Sequence, residues 1–183
     1  NRWRFITTGL GNTLLITLLS LLLGVFIGVV IAAVRSTYDK TALTARPTFG
    51  RKVLGFFNGL CKVYITVLRG TPVVVQLMII CLVIFAWSDN GVALASLAFG
   101  LNSGAYVAEI IRGGIMSIDN GQFEAGRSLG LNYLQTMQHI VIPQTIKNVL
   151  PSLMNEFIAL LKETSVAGYV AVQDLTKAGD IIR

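Results

Sequence analysis

Histidine occurs once and cysteine twice in these 183 residues, and charged side chains make up only 13% of them. Each shortage excludes a kind of chemistry. Cys61 and Cys81 stand in separate apolar, helix-like stretches with no Cys-x-x-Cys pair, and His139 is the single imidazole, so neither a disulfide scaffold nor a zinc site is indicated. Two packed, reduced thiols are the simpler reading. Clustered carboxylates and a Gly-x-Ser-x-Gly elbow are also missing, so the chain does not read as an enzyme and His139 reads as an interfacial residue. No Gly-x-x-x-x-Gly-Lys-Ser/Thr phosphate loop occurs, and any ATP would have to be bound by a partner. Internal repeats, low-complexity tracts and a separate soluble domain are absent too, and nothing points to nucleic acid.

What is present is hydrocarbon. Hydrophobic residues make up 54% of the chain, with a mean hydropathy of +0.69, too apolar for an ordinary soluble domain of this length. From Phe5 through Val34 there is no charged side chain, and about 20 such residues suffice to cross a roughly 30 Å hydrocarbon layer. The run is too long for a signal-peptide core, and no Ala-x-Ala site follows Val34 before the polar segment. The sequence opens on Asn1 rather than Met, so further residues are expected before it.

Following where charge is excluded gives an all-α membrane protein with four spans, about 13–34, 55–87, 92–111 and 140–161, in a single transmembrane domain over 1–183. Gly24 and Gly28 in the first span, and Gly100 and Gly104 in the third, have the small-xxx-small spacing that lets helices approach closely in lipid. Segment 35–54 carries Arg35, Lys40, Arg46, Arg51 and Lys52 against Asp39 alone, which places it on the cytoplasmic side. The second span reads as one long helix broken at Gly70 and Pro72, and "WSDNGV" as a tight external turn. Glu109 and Arg112, three apart, are expected to pair, and the third helix to stop beyond Gly113 and Gly114. Residues after the fourth span read as external and interfacial, which puts the N-terminus outside, against the weak opposing vote of Arg2 and Arg4.

One polar stretch interrupts this pattern, "SIDNGQFEAGRSLGLNYLQTMQHIVIP" at 117–143. Asp119-Asn120-Gly121 supplies turn chemistry, a short helix follows from about Gln122 to Leu129, and Gly130 takes a C-cap role. So short a helix is marginal without something to pack on. Phe123 and Leu129 would hold it to a partner, while Glu124 and Arg127 would pair or meet charged groups. A docking knob and a plain connector are both compatible with the pattern.

The order Glu124-Ala125-Gly126, three residues, Gly130, nine residues, Ile140-Val141-Ile142-Pro143 resembles the Glu-Ala-Ala cytoplasmic loop signature of permease subunits in binding-protein-dependent ABC importers. Gly126 replaces the usual second alanine, a change expected to loosen the helix, and Ile142 replaces a leucine. "LRGTPVVVQL", "LNSGAYVAEIIRGGI" and "PQTIKNVLPSLMNEFIALLKETSV" resemble the subfamily that imports polar amino acids.

The resemblance implies a type I ABC importer permease-like helical bundle in the bacterial cytoplasmic (inner) membrane, with a fifth span expected beyond Arg183. It implies that the 121–131 loop helix couples to a separate ATPase through Gln122, Phe123, Glu124, Ala125, Gly126, Arg127, Gly130, Ile140 and Pro143. ATP and magnesium would sit on two copies of that ATP-binding subunit. A second permease subunit, identical or homologous, and an extracytoplasmic substrate-binding protein complete the expected assembly, which works by rigid-body gating.

A passage is sought among the polar groups of the last span. Counted at about 100° per residue, Gln144, Asn148, Asn155 and Lys162 fall on one stripe, and Glu156 and Glu163 on a second about 100° away, with Pro151 interrupting the helix. Asn155 and Glu156 either line the passage for a zwitterionic amino acid, with Glu156 facing its ammonium group, or make interhelical hydrogen bonds. Lys162 and Glu163 read as structural. Arg69 is either a gate or ligand residue or the cytoplasmic boundary of its span. The rival reading is an ion- or proton-coupled secondary transporter or channel, which would place carboxylates at mid-membrane on more than one span, whereas only Glu156 lies near that depth.

Overall fold

The computed structural model describes residues 2–42, 49–170 and 172–182, and among them every regular element is helical. Helix α1 (Arg2–Ala42) is followed by α2 (Phe49–Gly70) and α3 (Val73–Met78), which runs on as a π-helical segment, Ile79–Ile84. Helix α4 (Gly91–Met116) leads through a three-residue link to α5 (Asn120–Ser128). Helix α6 (Tyr133–Thr136) continues through a second π segment, Met137–Val141, into α7 (Ile142–Glu163), and a 3-10 segment, Thr164–Val170, precedes α8 (Leu175–Ile182). Arg46 of the basic segment lies outside the described residues.

By length and composition two helices are able to cross a membrane, within Trp3–Lys40 and Gly91–Met116, and α2 with the α3 segment adds a third if that pair, bent by 106°, is one span. Helix α7 occupies the place of the expected fourth span with 22 residues, but Gln144, Asn148, Asn155 and Glu156 keep it from qualifying as an apolar crossing. The break in the second span falls at Pro72, which caps α3 from an extended conformation.

Several boundaries differ from the sequence reading. Helix α1 has 41 residues, about 60 Å at the usual rise, so Arg35, Asp39 and Lys40 ride on a helix that continues past the apolar run. Helix α4 runs past the end of its expected span at 111 and stops at Met116, beyond Gly113 and Gly114 as expected, and Gly114 gives room to Val149 and Thr145 of α7. Helix α7 continues through Pro151.

The centre of the fold is the α1–α4 pair. A methyl group on Gly28 would sit 2.5 Å from Val107 Cγ1, and one on Gly24 would sit 2.9 Å from Ser103 Oγ. In return Gly100 accommodates Leu23, and Gly104 accommodates Ile27 and the Tyr64 hydroxyl. Each helix thus offers glycine where the other offers bulk, the close approach on which helices in lipid rely. Ser20 Oγ donates across this interface to the Ser96 carbonyl at 3.1 Å. Phe99, Ile16, Leu77 and Leu160 build a fully buried cluster towards one end, while Ile31, Ile65, Ala105 and Ala108 build another. Leu14, Leu18, Leu22 and Phe26 face outward along α1. In hydrocarbon such a face carries no desolvation cost.

At the far end of α1 an ion-pair chain takes over from packing. Arg35 donates to Glu109 Oε1, and Arg112 Nη2 lies 2.8 Å from Asp39 Oδ2. The expected Glu109–Arg112 pair exists only loosely, at 3.7 Å, because each residue has its closer partner on α1.

Candidate functional site

The polar stretch forms a small, fully capped unit. Asp119 Oδ1 accepts from the Gly121 amide at 2.6 Å, opening α5, and the Gln122 amide reaches the Asp119 carbonyl at 3.0 Å. At the other end the Leu131 amide donates to the Gly126 carbonyl at 3.0 Å and the Gly130 amide to the Arg127 carbonyl at 2.9 Å. These two bonds, with Gly130 at φ 77°, make a Schellman cap, a conformation that favours glycine. Asn132 and Gln135 then form a reciprocal capping box, both bonds 2.9 Å, that starts α6.

Gly126 does the opposite of loosening this unit. It is buried, and a methyl group there would stand 2.6 Å from Thr136 Oγ1 and 2.8 Å from its Cγ2. The glycine is what allows α6 to lie against α5. Phe123 also turns inward: its ring stacks on Tyr133, centroids 6.2 Å apart, with Lys40 Nζ 4.5 Å over it and 3.1 Å from Asn120 Oδ1. Partial burial pushes the Tyr133 hydroxyl above its usual pKa.

Glu124, Ala125, Arg127 and Leu129 remain exposed, the last at 76%, and no ion pair joins Glu124 to Arg127 among the described residues. These four side chains are accessible from outside the unit. Behind them, Gln144 Nε2 bonds to Gln122 Oε1 at 3.3 Å and to the Ile140 carbonyl at 3.0 Å, which ties α5 to the start of α7 beside Pro143. Asn148 Nδ2 reaches Ser117 Oγ at 3.2 Å, a second tie between α7 and the end of α4.

The candidate passage residues meet around one stretch of α4. Glu156 is half-buried and accepts from Ser103 Oγ at 2.7 Å, while the Arg69 guanidinium lies 4.9 Å from the centroid of the Tyr106 ring, three residues further along. Asn155 is not brought into this group. It stays exposed on α7 with Lys162, whereas Gln144 and Asn148 of the same stripe are engaged within the chain. Sequence reasoning missed Ser103, Tyr106, Thr136 and Lys40, whose partners lie on other helices, and no local spacing marks them.

The family described as binding-protein-dependent transport system inner membrane component matches residues 24–183. A putative glutamine transport system permease protein of Rickettsia bellii is 38% identical over 145 residues, 71% of this chain, and the match spans 66% of that protein's length. A probable amino-acid ABC transporter permease protein of Bacillus subtilis is 37% identical over 183 residues, 97% of this chain and 73% of its own. Among solved structures, an amino acid ABC transporter crystallised with histidines superposes with a TM-score of 0.81 at 38% identity, over 98% of this chain and 78% of that one. The MetNI methionine ABC transporter, in an inward-facing conformation, shares the fold at 17% identity, with a TM-score of 0.77 over 97% of this chain and 79% of that one.

Proposed function

This chain belongs to the family of inner membrane components of binding-protein-dependent transport systems, with the all-α bundle of a type I ABC importer permease, and on that premise we propose that it translocates polar amino acids. Energy comes from a separate ATPase, two copies of which hold ATP and magnesium and drive a pair of permease subunits between inward and outward openings. An extracytoplasmic binding protein delivers the substrate across a bacterial inner membrane. Relatives named for glutamine and for amino acids support the substrate class. The family match favours this reading over an ion-coupled secondary transporter or channel.

The observation that carries the mechanism is the α5 unit, capped at both ends and presenting Glu124, Ala125, Arg127 and Leu129 outward. Pressure on that face reaches α7 through Gln122–Gln144 and through the Gly126–Thr136 contact, and reaches α4 through the link at 117–119. Helices α4 and α7 in turn carry Ser103, Tyr106 and Glu156. Glu156 faces the substrate ammonium group and Arg69 its carboxylate, with Asn155 on the adjoining open face.

The test is substrate-stimulated ATPase activity of the reconstituted complex, with co-purification of the ATPase. Glu124→Ala and Gly130→Val are expected to insert normally and to lose stimulation, the latter because a β-branched side chain is strained at φ 77°. Full stimulation and assembly in both would reduce the unit to a connector.

A further inference from the structure

The break between α2 and α3 leaves Arg69, Gly70, Thr71 and Pro72 exposed, with two buried amide side chains, Gln76 and Asn102, behind it. The last carbonyls of α2 have no partner within their own helix. Side chains fill the gap. Thr71 Oγ1 donates to the Val67 carbonyl at 2.9 Å. The Leu68 carbonyl accepts from two amides at once, Gln76 Nε2 at 2.8 Å and Asn102 Nδ2 at 3.0 Å. Gln76 Nε2 also reaches the Thr71 carbonyl at 3.0 Å and Thr71 Oγ1 at 2.7 Å, and Gln76 Oε1 accepts from Asn102 Nδ2 at 3.0 Å. Both amides are buried, at 7% and 4% exposure. Carbonyls on one side and an amide donor on the other leave the Gln76 side chain a single satisfied orientation.

We propose that Gln76 and Asn102 are positioning residues that lock the 106° bend to the middle of α4, so that the break moves with α4 as a rigid elbow and carries Arg69 with it. Arg69 follows Leu68 directly, and its guanidinium rests over Tyr106, one turn beyond Asn102. It is therefore held to α4 twice, once through its neighbour's carbonyl and once through its own charge. Ser103, next to Asn102, holds Glu156. Consecutive residues of α4 thus grip both sides of the passage, and the same helix leads to α5.

A hinge at Gly70, which has open space around it, would absorb a displacement of α5 before it reached Arg69. The elbow passes it on. The mechanical part of this proposal stands on the hydrogen bonds alone, while its consequence for transport rests on the reading of Arg69 and Glu156 as passage residues.

The deciding measurement uses the full chain assembled with its ATPase in lipid, with Cys61 and Cys81 replaced and spin labels on Val63→Cys and Val83→Cys, two exposed sites on either side of the bend. Pulsed electron resonance reads the distance between the labels with and without ATP and magnesium. One unchanged distance is expected in both conditions. Gln76→Leu and Asn102→Leu are expected to broaden it or add a second, even without nucleotide.

A shift of several ångströms on adding ATP to the otherwise unaltered protein would overturn the elbow, as would an unaltered distance in both leucine variants. That first comparison tests the rigidity of the bend even if the leucine variants fail to assemble, and Gln76→Asn, which keeps the amide but shortens its reach, then tests the lock. Substrate moved per ATP hydrolysed is measured alongside, with a fall of about tenfold expected in each variant, in the usual range of coupling free energies. Broadened distances with an unchanged ratio would leave the elbow standing and remove Arg69 from the passage.

Discussion

The α1–α4 interface and the α5–α6 unit both depend on glycine, and they use it for different ends. Between α1 and α4, Gly24, Gly28, Gly100 and Gly104 are spaced along two long helices and let them close on each other over several turns. In the α5–α6 unit Gly126 serves a single contact with Thr136, and Gly130 a single backbone conformation. The first region draws its rigidity from many small contacts and is difficult to deform locally. The second draws it from a few hydrogen bonds and one aromatic stack, and one altered residue is enough to release it. A rod and a docking piece have these requirements respectively.

Gly28→Leu breaks the comparison at its stronger side. Even a methyl group at this position would stand 2.7 Å from Val107 Cβ and 3.0 Å from the Ala108 amide nitrogen, and backbone is unable to yield as a side-chain tip does. Overpacking of this kind costs about 1–3 kcal/mol or more, and here it would part the two central helices. A lower thermal midpoint and loss of the folded subunit in detergent are expected. Retention of the wild-type midpoint would show that the α1–α4 approach is looser than these contacts require.

Gly126→Ala sharpens the comparison at the docking piece. The added methyl group meets Thr136 and pushes α6 from α5, while the bundle, which has no share in that contact, keeps its thermal midpoint. Substrate-stimulated ATPase activity is expected to fall, and adding Thr136→Ala should return most of it by removing Oγ1 and Cγ2 from the path. Equal losses of stability and stimulation in Gly126→Ala would contradict the separation of the two regions.

That glycine also shows where sequence reasoning reached its limit. The Gly24/Gly28 and Gly100/Gly104 pairs were readable because a helix face repeats along one segment, so spacing alone gives the packing surface. Gly126 carries no such signal, since its reason lies ten residues away on another helix, and on the family pattern it reads as a weakness. The extent of α1 was hidden for a related reason: charge marks where lipid ends, and the helix continues beyond Val34 because Arg35 and Asp39 find partners on α4. Helix α5 was readable from its own caps, Asp119 and Gly130. The meeting of Arg69, Tyr106, Ser103 and Glu156 was not, because three helices contribute to it.

The smallest expected effect lies where the two regions touch. Lys40, on the last turns of α1, bonds to Asn120 and covers the Phe123 ring, so the rod braces the docking piece through one side chain. A cation over an aromatic ring at a partly exposed site contributes about 0.5–1 kcal/mol, which corresponds to about a two- to fivefold change in an equilibrium. Lys40→Met, which also loses the bond to Asn120, should therefore lower substrate stimulation of the ATPase by about that factor or somewhat more and leave its co-purification intact, because Glu124, Ala125, Arg127 and Leu129 are untouched. Lys40→Arg keeps a cation above Phe123 and should retain most of the stimulation. If methionine and arginine behave alike, the brace owes nothing to charge, and Phe123 is held by Tyr133 alone.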